Sequence, residues 1–259
     1  MLANAEAAEV SIEAEPAPEY DALFARADGW IGADGDYSVA LDKNTALWLF
    51  SDTFVGRVKD NRRVDTVMIN NSVAIQHIGS SKPIEFFYPK TKDGAPASFI
   101  TPDDGRGYFW PFDAVMTSKG LFMFLTRVEH SDASPVFPFK LFGSSLGHVE
   151  DPSLQVSIPS LQVSIPGGMG EKPSGSPLEW KITQRNVPFT RFAKDQTIFF
   201  GSAALEVGSH IYVYGLDSRR KAESGERKSA PSLPVSIPGG MGTPANARGR
   251  AVRRERRSR

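Results

Sequence analysis

The stretch GWIGADGDYSVALDKNTALWLFSDTFVG (29–56) decides the fold of this chain. DYSVAL (36–41) and ALWLFSDTFV (46–55) read as two strands flanking the turn DKNT (42–45). The same grammar continues outward. MINNSVAIQHI (68–78), IEFFYP (84–89), YFWPFDAVMTS (108–118) and LFMFLTRVEH (121–130) are short apolar runs rich in β-branched and aromatic residues. LEWKITQRNVP (178–188), TIFFGSAALEV (197–207) and HIYVYGL (210–216) complete the set, with SKG (118–120) and EVGS (206–209) suited to hairpins. No segment sustains a 3.6-residue period, so helix should be scarce. Many short strands at regular spacing predict an all-β domain of the sandwich, barrel or propeller kind.

The 259 residues, 40% hydrophobic and 23% charged, suffice for one large domain or two small ones. The absence of cysteine excludes disulfide scaffolds, thiol nucleophiles and thiolate metal sites. No apolar run reaches the length of a membrane-spanning helix. The formal net charge of zero conceals a division. Residues 243–259 hold seven Arg against one Glu, a net of +6, which leaves −6 on the rest.

The chain divides into a lead-in rich in Ala, Glu and Pro (1–20), expected to be disordered or weakly helical, an ordered domain (21–218) and a basic tail (219–259) expected to be disordered. The lead-in lacks the basic start and apolar stretch of a secretory signal. Two segments stand apart. SLQVSIP occurs at 153–159 and again at 160–166, within an insertion at 152–176, and SLPVSIPGGMG (232–242) matches residues 160–170 at ten of eleven positions. Solenoid and propeller repeats are whole structural units of about 20–50 residues, so these copies read either as a translated mobile element or as a duplicated low-complexity linker. The Arg-rich tail reads either as an arm for phosphates or as run-on coding, and the second reading sets nucleic acid aside as a partner.

Chemistry is carried by polar residues in apolar surroundings. Asp52 interrupts LWLFSDTFV, where an ionised carboxylate costs several kcal/mol (about that order) unless it is paired, for example with Arg57 or Arg127, or opens onto a wet pocket. Asp34 and Asp36 lie in a Gly-rich approach to the first strand, pointing the same way if the backbone is extended. Converging carboxylates are the minimum equipment of glycoside hydrolysis, one giving a proton to the leaving oxygen while another attacks or activates water. Asp34, Asp36 and Asp52 are therefore the catalytic candidates, beside the ordinary reading of a turn and a structural aspartate. Asn70, Asn71 and Asp113 also interrupt strands, as contacts to a hydroxyl-rich ligand or as capped bulges. Trp30, Tyr37, Trp48, Tyr108 and Trp110 are available to stack on sugar rings or to fill the core. Trp30, Tyr37, Asn70, Asn71, Trp110 and Asp113 are the binding candidates. The four scattered histidines lack metal-ligand spacing, and no nucleotide or flavin motif occurs, so neither metal nor cofactor is expected.

The run 29–56, followed by NNSVAIQ (70–76), YFWPFDAVM (108–116) and GSAAL with HIYVYGLD (201–217), resembles a bacterial family of five-bladed β-propellers of the endo-D-arabinanase-like type. That family was long catalogued as a domain of unknown function and is similar in fold to arabinanases, levansucrases and invertases. The resemblance covers roughly residues 28–217. It implies a glycoside hydrolase-like propeller acting on or binding polysaccharide, exported from the cell, with first-blade aspartates as nucleophile or base and the acid from a later blade. It places Asp34 and Asp52 first, with Asp36 beside them. Five blades need on the order of 200–250 residues, and the strands here fill about three of the five, so a truncated propeller is expected, inactive as it stands. The competing expectation is a non-catalytic glycan-binding module or a remnant.

Overall fold

The computed structural model describes residues 14–133, 135–150, 175–207 and 210–219. The repeats at 153–170 and 232–242, and the tail beyond Arg219, lie outside the described residues. Contacts divide the chain into Met1–Ala222 and Glu223–Arg259, and everything described belongs to the first unit. The described residues are all-β apart from one helix, α1 (Pro18–Phe24), and a single 3-10 turn at Pro177–Glu179. α1 starts within the segment read as lead-in, with Pro18 in its first turn, where the missing N–H costs nothing.

Fourteen strands form four antiparallel sheets, and among the described residues none of these closes on itself. Sheet A has the order β1 (Asp28–Ala33), β4 (Thr53–Lys59), β5 (Arg62–Ile69). Sheet B has the order β2 (Tyr37–Asp42), β3 (Thr45–Phe50), β6 (Ser72–His77), β7 (Glu85–Phe87). Sheet C is a meander of β8 (Tyr108–Thr117), β9 (Gly120–His130), β10 (Phe139–Val149) and β11 (Ile182–Asn186). Sheet D joins β12 (Arg191–Phe192), β13 (Gln196–Val207) and β14 (His210–Arg219).

Sheets B, C and D stack in chain order, as their alternating apolar residues require. Leu41, Leu47, Leu49 and Val73 of sheet B meet Ala114, Met116, Leu121, Met123 and Leu125 of sheet C. The other face of sheet C presents Val115, Phe122 and Leu146 to Ala204 and Ile211 of sheet D. Sheet B turns its second face to Trp30 of β1 and to Leu23 and Phe24 of α1. β8 packs beside β2, the first strand of sheet B, and beside β13, the central strand of sheet D. At Gly201, where φ is +103°, a Cβ would meet the Phe124 Cβ at 2.2 Å, and only glycine lets β13 cross sheet C this closely.

Two runs that read as single strands are each broken in two. ALWLFSDTFV splits at Ser51–Asp52 into β3 of sheet B and β4 of sheet A, and MINNSVAIQHI splits at Asn70–Asn71 into β5 and β6. The breaks are pinned by polar side chains: Thr53 Oγ1 and Ser72 Oγ lie 2.9 Å apart, both buried. Asn71 is fully buried and spends its amide on the chain, donating to the carbonyls of Ile100 (3.0 Å) and Phe109 (2.9 Å) and accepting from the Ile100 N–H (2.8 Å). Replacing Asn71 by Ala would strand three backbone groups in the interior. The expected cost is about 2–4 kcal/mol, read as a lower urea midpoint with an unchanged slope.

Candidate active site

Sheets A and B share one chain that passes between them three times, and the acidic residues sit at two of those passages. β1 ends at Ala33 and β2 begins at Tyr37, leaving Asp34, Gly35 and Asp36 between the sheets. β3 ends at Phe50 and β4 begins at Thr53, leaving Ser51 and Asp52. The two passages are tied backbone to backbone: the Asp34 N–H donates to the Asp52 carbonyl (3.2 Å) and the Ser51 N–H to the Asp34 carbonyl (2.8 Å). Asp52 therefore sits at a junction rather than inside a strand, which is how a carboxylate is tolerated among Phe50, Thr53 and Phe54.

The partner of Asp52 is neither arginine considered from the sequence. Arg57 pairs with Asp65, and Arg127 with Asp104 (2.5 Å). Instead the Trp110 indole N–H donates to Asp52 Oδ1 at 2.8 Å, while Ser51 Oγ donates to the Pro111 carbonyl (3.1 Å) and holds β8 against the junction. Trp110 is itself fixed edge-on by Phe139 (4.7 Å) and Tyr108 (5.9 Å). Burial and the charge of Asp52 push the Tyr108 phenol above its ordinary value.

The residues Asp34 and Asp36 are solvent-exposed, yet enough protein surrounds their carboxyl groups to perturb them. Desolvation raises Asp34, the negative charges of Asp52 and Asp36 raise it further, and a backbone hydrogen bond from Asp52 opposes them. Desolvation alone raises Asp36, whose backbone is held at φ +50°, a left-handed conformation that aspartate tolerates better than most residues. Burial and the charges beside it both favour the protonated form of Asp34.

Asp113 and Tyr37 form a second group beside the first. Asp113 lies in the β8–β9 irregularity between Pro111 and Ala114, and its carboxylate accepts from the N–H groups of Ala114 (2.8 Å) and Ala204 (2.7 Å). Burial raises its pKa against those two bonds, and its charge joins burial in raising the Tyr37 phenol. The Tyr37 ring tilts against Phe112 at 5.7 Å. Asp113 thus acts as the cap of a bulge and the tie between sheets C and D.

The remaining sequence candidates are placed elsewhere. Trp30 is 6% exposed and stacked on Phe86 at 4.1 Å in the core behind sheet B. Asn71 is interior, and half-buried Asn70 at the third passage donates its backbone N–H to Ser98 Oγ (3.0 Å). A cavity of about 390 Å³ between sheets C and D is lined chiefly by apolar residues such as Phe122, Phe124, Phe200 and Ile211, and a polar hollow of about 160 Å³ is lined by Asp103, Asp104, Arg127 and Gln184. None of the three aspartates lines either. Among the described residues, no group of three or more His, Cys, Asp or Glu is disposed to hold a metal ion, and no helix is long and apolar enough to cross a membrane.

Residues 17–223 match the family described as a domain of unknown function (DUF5005). The structure is similar to that of a Bacteroides ovatus protein provisionally described as a hydrolase, with TM-score 0.53 and 20% identity over 77% of this chain. The chain spans about half the length of that protein, 49% of it, and the likeness is one of fold. No curated protein matches.

The raised carboxyl of Asp34 has a sign. A folded value above the ordinary 3.8 means the folded state binds the proton more tightly than the unfolded chain. Stability is then lost as pH rises from about 3.8 through the folded value. Asp34→Asn removes the charge and keeps the shape. Its melting temperature at pH 7 should equal or exceed that of the wild type, and its melting profile should flatten above pH 4 (about the aspartate range).

Proposed function

The chain belongs to the DUF5005 family, and we propose that it is a hydrolase that acts on glycosidic bonds through the carboxylates of Asp34 and Asp52. The observation that carries this reading is the backbone tie between the two aspartates at a sheet junction, with Trp110 fixing one carboxylate, and burial and then the neighbouring negative charges raising the other. A carboxyl raised by its neighbours is suited to carry a proton to a leaving oxygen. A carboxylate oriented by an indole is suited to act as base or nucleophile. Asp36 adds negative charge, which suits an oxocarbenium-like transition state. Tyr37 and Trp110 supply aromatic and hydrogen-bonding surface for a sugar. Asn70 and Asp113 stand at the margins of the same region.

In this reading sheets B, C and D are successive blades of a propeller of the endo-D-arabinanase-like kind. Their stacking in chain order supports it, as does the adjacency of β2 and β8, the first strands of sheets B and C. The resemblance to that family supports a polysaccharide as the substrate. The similarity in fold to a protein provisionally described as a hydrolase is consistent with it. A non-catalytic glycan-binding module is the second reading, favoured by the absence of the three aspartates from either enclosed hollow.

The test is release of reducing ends from a panel of furanoside and pyranoside polysaccharides. Release by the wild type would carry this reading and overturn the expectation of a truncated propeller that is inactive as it stands. Asp34→Asn and Asp52→Asn should each lose on the order of 100-fold or more while keeping their melting transitions. Release unchanged in both variants would remove the aspartates from the chemistry. Binding of a polysaccharide without any release would establish the second reading.

A further inference from the structure

The face of sheet A that carries the aspartates continues outward as a platform with an unpaired cation. β1 and β4 pair Gly32 with Phe54 and Ala33 with Thr53, and the hydrogen bond from the Asp34 N–H to the Asp52 carbonyl extends that ladder by one step. Alternation then puts Asp34 and Asp52 on the same face as Gly32 and Phe54, opposite the fully buried Thr53. Phe54 pairs onward with Met68 of β5, which is 55% exposed. Gly32 adds no side chain, and the room it leaves beside Phe54 is taken by the side chain of Arg63.

The guanidinium of Arg63 lies over that ring, 3.9 Å from its centroid, and reaches within 3.4 Å of where a Gly32 Cβ would stand. Its neighbours on the hairpin differ. Arg57 is paired with Asp65, while Lys59 and Arg62 face each other at the tip. Arg106, Arg127, Arg191 and Arg219 all pair with carboxylates. Among the described residues, no carboxylate or carbonyl accepts from Arg63. Asp34 is two residue steps from Gly32, a span of at most about 7 Å, comparable to one sugar ring. A guanidinium stacked flat on an aromatic ring keeps its N–H edges free, in a planar fork that matches a carboxylate.

We infer that Phe54 and Arg63 form a subsite for a carboxylate-bearing sugar, a uronosyl residue, next to the bond held over Asp34 and Asp52. This deepens the glycosidase reading and rests on it for the word subsite. Phe54 would hold the Arg63 guanidinium in place, and the sugar would lie beside that pair against the exposed Met68, its carboxylate accepting two N–H groups of Arg63. Arg63 is a binding residue here, with no part in proton transfer.

The test is affinity electrophoresis of the full chain in gels containing polygalacturonate, its carboxyl-reduced neutral form, or dextran sulfate, beside the reducing-end assay. Polygalacturonate should retard the wild type and the reduced polymer should not. Arg63→Gln should weaken that retardation about tenfold, whereas the Lys59→Gln/Arg62→Gln pair should leave most of it. Equal retardation of Arg63→Gln and wild type would overturn the subsite. So would a loss in the tip variant as large as in Arg63→Gln, or equal retention by dextran sulfate, since either marks a non-specific basic surface. The two readings fail separately. Loss of turnover in Asp52→Asn with Arg63-independent binding defeats the subsite alone. Arg63-dependent retention by polygalacturonate with no reducing ends from any polymer defeats the hydrolase alone.

Discussion

Three passages of the chain between sheets A and B are held together by a handful of short polar contacts. The backbone of Asp34 bonds to that of Ser51 and Asp52, and Thr53 Oγ1 meets Ser72 Oγ at the neighbouring passage. Asn71 carries the third passage inward to the carbonyls of Ile100 and Phe109. Each passage is a place where ladder pairing changes partners, and each must satisfy its backbone groups by other means. The carboxylates of the candidate site occupy these positions because the sheets leave room there for groups that need water. Elsewhere in sheets B and C the same positions are filled by Leu, Met and Val.

This arrangement explains what was legible in the sequence. The alternation in DYSVAL and the DKNT turn correspond to β2 and the hairpin into β3, because a two-stranded pairing is a local matter. The break at Asp52 is not written in the alternation, since β3 and β4 each carry apolar residues at the same period and only the sheet they join differs. The aspartates stand out because charge among aromatics is costly, yet that cost cannot name the group that offsets it. Trp110 lies 58 residues from Asp52, and neither nearby arginine is its partner.

The binding candidates divide along the same line. Tyr37, Trp110 and Asp113 sit around the carboxylates because β2 and β8 are neighbours, a fact of tertiary arrangement. Trp30 and Asn71 have the same composition signal but lie inside, one stacked on Phe86 and one spent on backbone groups. An interrupting amide reads alike whether it reaches for a ligand or a carbonyl. Arg63 carried no signal at all, because a basic residue on an exposed hairpin is ordinary until its ring partner and its missing anion are seen.

Sheet D depends on sheet C far more than sheet C depends on it. Its inner side is fastened by the Asp113 carboxylate on the Ala204 N–H and by the close crossing of Gly201 over Phe124. Its outer side exposes Leu205, Val207, Tyr212, Tyr214 and Leu216, with little burial to hold the hairpin down. Opening of that hairpin would cost less than global unfolding. It would also free Ala204 from Asp113, altering the charge environment of Tyr37 at the edge of the carboxylate group. Slow amide exchange should therefore be confined to sheets B and C, with β13 and β14 breathing as a separate unit whose motion is electrically felt at Tyr37.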